Sequence, residues 1–184
     1  MVMQSERDLI GKAQGGDQRA FEQLVLLHEA PIRKTVWAML GDTPEAKDVA
    51  QEVFIRWYQS INDFESRSSL RTYLTRIAIN LSLNELKRRK QKSKWLVFGR
   101  ENTPEYPEPN DHEVAFKSWE AGELLHKALS LLAPDFRIVL VLRLIEGYSV
   151  QETAAMLQIP EGTVASRLAR AQIKLKELIA KLDK

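Results

Sequence analysis

The chain has 184 residues, a formal net charge of +2 and 44% hydrophobic residues; single domains run to about 100–150 residues, so one domain or two small ones are expected. It contains no cysteine, which excludes disulfides, thiolate zinc sites and a cysteine nucleophile, and no apolar run approaches the roughly 20 residues that span a bilayer. The stretch Met1–Asp17 is polar and lacks a signal-peptide core, which points to a soluble cytoplasmic protein without membrane insertion.

Apolar residues recur at three and four rather than at two, which predicts an all-α chain. From Arg19 to His28, after an aspartate start at Asp17, Phe21, Leu24, Val25 and Leu27 form an inward face. Pro31 opens a second segment through Leu40, with Ile32, Val36, Met39 and Leu40 inward, and Gly41 stops it. Thr43-Pro44-Glu45 is a helix start: a hydroxyl cap, a proline in the first turn and an acid near the positive end. That helix carries Val49, Val53, Phe54 and Trp57 inward; its other face holds Asp48, Gln51, Glu52 and Arg56, with Ile55 outside the apolar stripe. Residues Asn62 to Ser69 break the pattern. Ser69 then caps a long helix to about Lys90, with Leu70, Leu74, Ile77, Leu81 and Leu86 as its stripe.

Composition shifts at about Gln91. Gly99, Pro104, Pro107 and Pro109 argue against a helix and predict a flexible linker, which could span up to about 70–80 Å if extended. A loop of that length inside one compact domain is unusual, so two small helical domains are expected: 1–90, a linker 91–113, and 114–184. In the second, one helix runs through Trp119, Leu124, Leu125, Ala128 and Leu132. Pro134 starts the next, with Phe136, Val139, Leu140, Leu142 and Leu144 inward as far as Gly147. Ser149 and Glu152 make a capping box for a helix ending near Gln158, and the last helix runs from about Gly162 to Lys181.

The run from Ser149 to Ala171 therefore reads as helix, tight break, helix: a helix-turn-helix with its reading helix at the C-terminal side. On that last helix Val164, Leu168, Ala171, Leu175 and Leu178 form the inward stripe, and Thr163, Ser166, Arg167, Arg170 and Lys174 share another face. Hydroxyls and cations near a helix start suit duplex DNA, because arginine grips guanine with two hydrogen bonds and either cation holds phosphate. A second surface closes the first domain. Lys87-Arg88-Arg89-Lys90, Lys92 and Lys94 form a basic block; upstream on the same helix stand Arg76, Asn80 and Asn84. Before them lie Phe64, Ser66, Arg67, Ser68, Arg71 and Tyr73. Aromatics among cations and small hydrogen-bonding residues suit unpaired bases, which stack on rings and offer their edges to asparagine. The acid-led face of Asp48, Gln51, Glu52, Ile55 and Arg56 would repel DNA, so a protein partner is the better reading.

These surfaces, in this order, resemble the extracytoplasmic-function group of bacterial sigma factors, over nearly the whole chain. The matching stretches are Glu45–Phe54, Phe64–Asn80 and Ile159–Ala171. The resemblance implies a region 2-like bundle and a region 4-like helix-turn-helix domain. It implies core RNA polymerase as partner, with the Asp48–Arg56 helix on the coiled coil of the largest subunit and a second contact at the flap. It implies promoter DNA, with the melted −10 strand held by Phe64, Ser66, Arg67, Ser68, Arg71, Tyr73, Arg76, Asn80, Asn84, Lys87 and Arg88. The −35 duplex would be read by Thr163, Ser166, Arg167, Arg170 and Lys174, and an anti-sigma factor is a further implied partner. Tyr73 stands where the group usually has tryptophan, Ala165 where a basic residue is common, and Lys47 where an acid is common.

No cofactor or metal is expected: His28, His112 and His126 have no ligand spacing, and no glycine-rich phosphate loop or catalytic constellation occurs. The rival reading is a stand-alone helix-turn-helix regulator whose first domain is a sensor or dimerisation module. A sensor or dimerisation domain should show a ligand pocket or a dimer seam; a strand-binding domain would leave Arg76, Asn80 and Asn84 exposed beside the aromatic loop.

Overall fold

The computed structural model describes residues 5–97 and 118–183, which form eight α-helices and no strand. Local capping sets most boundaries. Ser5 accepts from the amide of Asp8 and opens α1 (Glu6–Gln14), which buries Leu9, Ile10 and Ala13. This helix is absent from the sequence reading, where polar composition hid a short apolar face. Asp17 caps α2 (Gln18–Leu40) by accepting from the amides of Arg19 and Ala20. The two predicted segments here are one helix of 23 residues with Pro31 inside it. A proline takes away the hydrogen bond to the carbonyl four residues back, which here belongs to Leu27, and Leu27 is 57% exposed. Leu27 is therefore not the inward residue predicted.

Gly41, at φ 84°, ends α2. Thr43 caps α3 (Pro44–Gln59) by accepting from the amide of Ala46. A 3₁₀ turn, Ile61–Asp63, leads to α4 (Leu70–Val97), whose first turn is capped by Ser69 accepting from the amide of Thr72. Trp57 is fully buried at the middle of this unit and stacks on Phe21 at 4.9 Å. α4 runs past the predicted end at Lys90, so the linker's first residues are helical to Val97; the rest of the predicted linker, 98–113, lies outside the described residues.

The second unit comprises α5 (Ser118–Leu131), α6 (Pro134–Leu140), α7 (Val150–Leu157) and α8 (Glu161–Leu182). A π turn, Val141–Ile145, follows α6, closed by the amide of Glu146 donating to the carbonyl of Val141 at 2.9 Å. The widened turn rotates the residues after it relative to an α-helix. Leu144, predicted inward, is consequently 56% exposed, and Glu146 turns toward the first unit.

The two units pack against each other. One apolar cluster runs from Leu24, Val36, Met39 and Leu74 of the first to Ile138, Leu142, Tyr148 and Met156 of the second. Arg137 lies within the junction, 5% exposed, and donates to the carbonyls of Met39, Ser130 and Leu132. It has no carboxylate partner among the described residues; the carbonyl ends of α2 and α5 take that role through their partial negative charge. Burial and the neighbouring Arg89 pull its guanidinium down to about 10, so it stays charged at neutral pH.

Candidate nucleic-acid and polymerase interfaces

The loop between α3 and α4 is braced from both sides. Gln14 of α1 donates its side-chain amide to the carbonyls of Ile61 and Phe64, each at 3.0 Å. Tyr73 lies against Phe64, ring centres 5.0 Å apart, with its hydroxyl 3.1 Å from that of Ser60. Ser66 takes a left-handed conformation at φ 54°, which costs a non-glycine residue energy and turns the chain outward at the tip. Asp63, Phe64, Glu65, Arg67, Ser68, Tyr73 and Arg76 line an open cleft of about 280 Å³. Phe64 corrects the sequence reading: at 5% exposed it is a core residue that supports the cleft floor and is not free to stack on a base. Ser66, Arg67, Arg76, Asn80, Asn84, Lys87 and Arg88 are exposed, while Ser68 and Tyr73 are half-buried.

The cations near this face are unequal. Arg88 donates twice to Glu85, at 2.7 and 3.0 Å. That bond, against the opposing effect of burial, holds the Glu85 carboxyl below its ordinary value, with Arg89 adding to it. Arg89 is a strut, because it donates to the carbonyl of Leu40 at 3.1 Å and the hydroxyl of Thr43 at 2.7 Å, tying α4 to the α2–α3 turn. Arg67 pairs with Glu65 at the loop tip, and Arg71 reaches Glu146 of the second unit at 3.1 Å. Arg76 and Lys87 make no ion pair among the described residues.

The helix-turn-helix is built as its local chemistry requires. Ser149 accepts from the amide of Glu152 at 3.1 Å while the Glu152 carboxylate accepts from the amide of Ser149 at 2.7 Å. Those bonds hold the Glu152 carboxyl below its ordinary value. Gln158, left-handed at φ 55°, makes the break before Pro160. Val164 and Ala171 anchor α8 in the core, fully buried. Ser166, Arg170 and Lys174 are exposed, and Thr163 and Arg167 are half-buried. Arg167 lies 3.4 Å from Asp135, and the Lys174 ammonium sits 4.9 Å from the centre of the Phe136 ring. The five predicted residues thus share one side of α8, with two of them lightly held by α6.

On α3, Asp48, Gln51, Ile55 and Arg56 are exposed and Glu52 is half-buried, paired to Arg56 at 2.8 Å. Ile55 is 50% exposed; one turn on, Tyr58 is 55% exposed and packs edge-on against Phe21 at 5.0 Å. Tyr58 extends the apolar centre of this face. The sequence reading left it out, although its spacing of three from Ile55 was the available signal.

Known proteins match this layout unit by unit. The sigma-70 region 2 family matches residues 24–92, and the sigma-70 region 4 family matches residues 122–175. The chain belongs to the extracytoplasmic-function group of the sigma-70 family. It is 34% identical to the RNA polymerase sigma-H factor of Pseudomonas aeruginosa, over 94% of this chain and 92% of that one. It is 33% identical to the ECF RNA polymerase sigma factor SigW of Bacillus subtilis, over 94% and 96% of the two chains. The solved structure of CnrH in complex with the cytosolic domain of CnrY superposes with a TM-score of 0.67 at 25% identity, covering 97% of this chain and 99% of that one. The sigma factor RpoE of Bartonella quintana, solved with the anti-sigma factor NepR, gives 0.66 at 25% identity, covering 89% and 98%. In this sigma factor the region 2 match takes in most of α2, all of α3 and α4 to residue 92. The region 4 match takes in the helix-turn-helix.

No described helix of the sigma factor is long and apolar enough to cross a membrane. Among the described residues no group of three or more histidine, aspartate or glutamate side chains is placed to hold a metal ion.

Proposed function

We propose that this sigma factor lends core RNA polymerase two different DNA contacts, with no chemistry of its own. The α3 face, centred on Ile55 and Tyr58 within a ring of Asp48, Gln51, Glu52 and Arg56, docks on the largest subunit's coiled coil. An exposed apolar centre with a polar rim is the usual anatomy of a protein interface. The cleft and the line Arg76–Asn80–Asn84–Lys87 hold the melted −10 strand. Thr163, Ser166, Arg167, Arg170 and Lys174 read the −35 duplex. The functional division follows 1–90 and 114–184, with 91–113 as the connection. An anti-sigma factor, as found with RpoE, is a partner we also assign.

The observation that carries this reading is the exposed Arg76–Asn80–Asn84 line beside the braced cleft. A stand-alone regulator would have no use for a second nucleic-acid face of that composition. Run-off transcription with bacterial core polymerase across genomic fragments tests it: specific starts are expected only when the protein is added. Asn80→Ala should leave duplex binding intact and lower permanganate reactivity of promoter thymines. No protein-dependent start on any fragment would overturn the function, and unchanged opening by Asn80→Ala would overturn the role of the α4 line.

A further inference from the structure

Two neighbouring residues of α6 hold two cations of α8. The Asp135 carboxylate lies 3.4 Å from Nη2 of the Arg167 guanidinium. The next residue, Phe136, packs into the cluster of Leu129, Leu132, Leu140 and Ala171, and the Lys174 ammonium sits over its ring, 4.9 Å from the centre. Arg167 and Lys174 are about two turns of helix apart, so they share one flank of α8 and stand about 10 Å from each other along its axis. Arg170, between them, is exposed and makes no ion pair among the described residues. Ser166, also exposed, donates to the carbonyl of Thr163 at 3.1 Å.

Position around the helix separates these residues further. Val164 and Ala171, fully buried, mark the direction of the core. At about 100° per residue, Arg167 and Lys174 stand about 50° and 70° from that direction, Arg170 about 110° and Ser166 about 150°. A helix seated in the major groove turns its outermost side chains to the base edges and its flanks to the phosphates of the groove walls. Asp135 engages one end of the Arg167 guanidinium and leaves its other donors free for a phosphate. Lys174 stays exposed above the Phe136 ring.

We propose that Asp135 and Phe136 are positioning residues for duplex recognition: they draw Arg167 and Lys174 to the flank of α8, where the two cations grip phosphates, and leave the base edges to Arg170 and Ser166. This rests on the duplex-reading role of α8 given above. Three untied cations on one side of a helix would compete for the same bases and phosphates, each through several rotamers. A side chain already held near its bound position loses less freedom on binding. The Asp135 side chain is 70% exposed, so the contact biases Arg167 and does not lock it. Phosphate contacts fix the seating of a helix in the groove and carry no sequence information. Changes at Asp135 and Phe136 therefore alter affinity and not base choice, whereas Arg170, which can hold guanine through two hydrogen bonds, carries the choice.

The test uses the full chain bound to bacterial core RNA polymerase, a promoter duplex mapped by run-off transcription and its single-base −35 variants, with affinity measured over a range of salt. Arg167→Ala and Lys174→Ala should each lower the slope of log affinity against log salt by about 1 and weaken every duplex by the same factor. Arg170→Ala should instead change the ranking of the duplexes. Asp135→Ala should weaken all of them roughly threefold, with no effect once Arg167→Ala is present. Asp135→Asn, which keeps an oxygen that can accept from the guanidinium, should recover part of the loss. Phe136→Leu keeps an apolar side chain in the core and should also cost roughly threefold, with nothing further lost beside Lys174→Ala. Circular dichroism confirms that each variant is folded; should Phe136→Leu not fold, the exposed Asp135 variants carry the test. Unchanged or tighter binding by Asp135→Ala, or an equal loss with and without Arg167, overturns the positioning role. A changed ranking in Arg167→Ala or Lys174→Ala overturns the assignment of these two cations to phosphate. Affinity and ranking unchanged in all three α8 variants instead overturn the duplex-reading role of α8 itself.

Discussion

The strand face on α4 and the duplex face on α8 solve opposite problems. On α4 the surroundings are locked: Gln14 braces the loop, Tyr73 and Phe64 fill its underside, and Arg71, Arg88 and Arg89 are all engaged. On α8 the side chains project from a helix anchored by Val164 and Ala171, with only loose neighbours in Asp135 and Phe136. Duplex DNA brings its own shape, so a helix that presents cations along one side is sufficient. A melted strand has no fixed shape, so the protein must supply one, and the cost of order falls on the protein beforehand.

Breaking the frame under α4 is the harshest test of this contrast. Trp57→Ala removes a fully buried indole stacked on Phe21 and should cost about 3–5 kcal/mol in urea unfolding. Strand opening should fail with it, while −35 duplex binding is retained wherever the second unit stays folded. Equal loss at both faces would mean they are not separately built. Next in size is Arg170→Ala on the exposed side of α8. Duplex affinity should drop by about 1–3 kcal/mol with relaxed choice at one base, measured by competition with promoter variants. A uniform loss across sequences would make Arg170 a phosphate contact.

Gln14→Ala sharpens the contrast from behind the cleft, since it removes the brace under the loop and leaves every proposed DNA-contacting side chain in place. Freeing the carbonyls of Ile61 and Phe64 should cost about 1 kcal/mol of stability and slow promoter opening, with −35 binding unchanged in a footprint. Unaltered opening would show that the brace is irrelevant to the strand. The smallest effect is in acid. Burial lowers His28 and His126 below the ordinary 6.5. Glu6 opposes this and Arg71 adds to it at His28, while Asp42 opposes it and Arg137 adds to it at His126. A depressed imidazole is neutral when folded and takes its proton more readily when unfolded. Stability should therefore decline as pH falls below 6.5 toward the folded values, and be level above it. His126→Phe should flatten part of that slope in denaturant titrations at stepped pH; an unchanged slope would show that His126 titrates as it does in the unfolded chain.

Most helices, both glycine- and hydroxyl-marked caps of the first unit, the capping box at Ser149 and the face of α8 were legible along the chain. Each depends on atoms three or four residues apart, and such bonds form wherever the local order of residues permits them. α1 was missed because three apolar residues in a polar stretch give a weak period, and they count only once α2 covers them. Pro31 misled for a related reason: the helix is held across it by tertiary burial, Leu24 and His28 before it and Ile32 and Thr35 after it.

What the order of residues could not decide was the destination of the long side chains. Arg71, Arg89 and Arg137 read alike as cations, yet one reaches Glu146, one struts the α2–α3 turn and one is buried against carbonyls of both units. The same holds for Phe64, an aromatic in a loop that proved to be floor and not platform. The linker left the relative placement of the two units open, and only the joined apolar cluster showed them packed. Local hydrogen bonds are settled within a turn of helix; a guanidinium on a long stem takes whichever carboxylate or carbonyl the packing of distant helices brings within its reach.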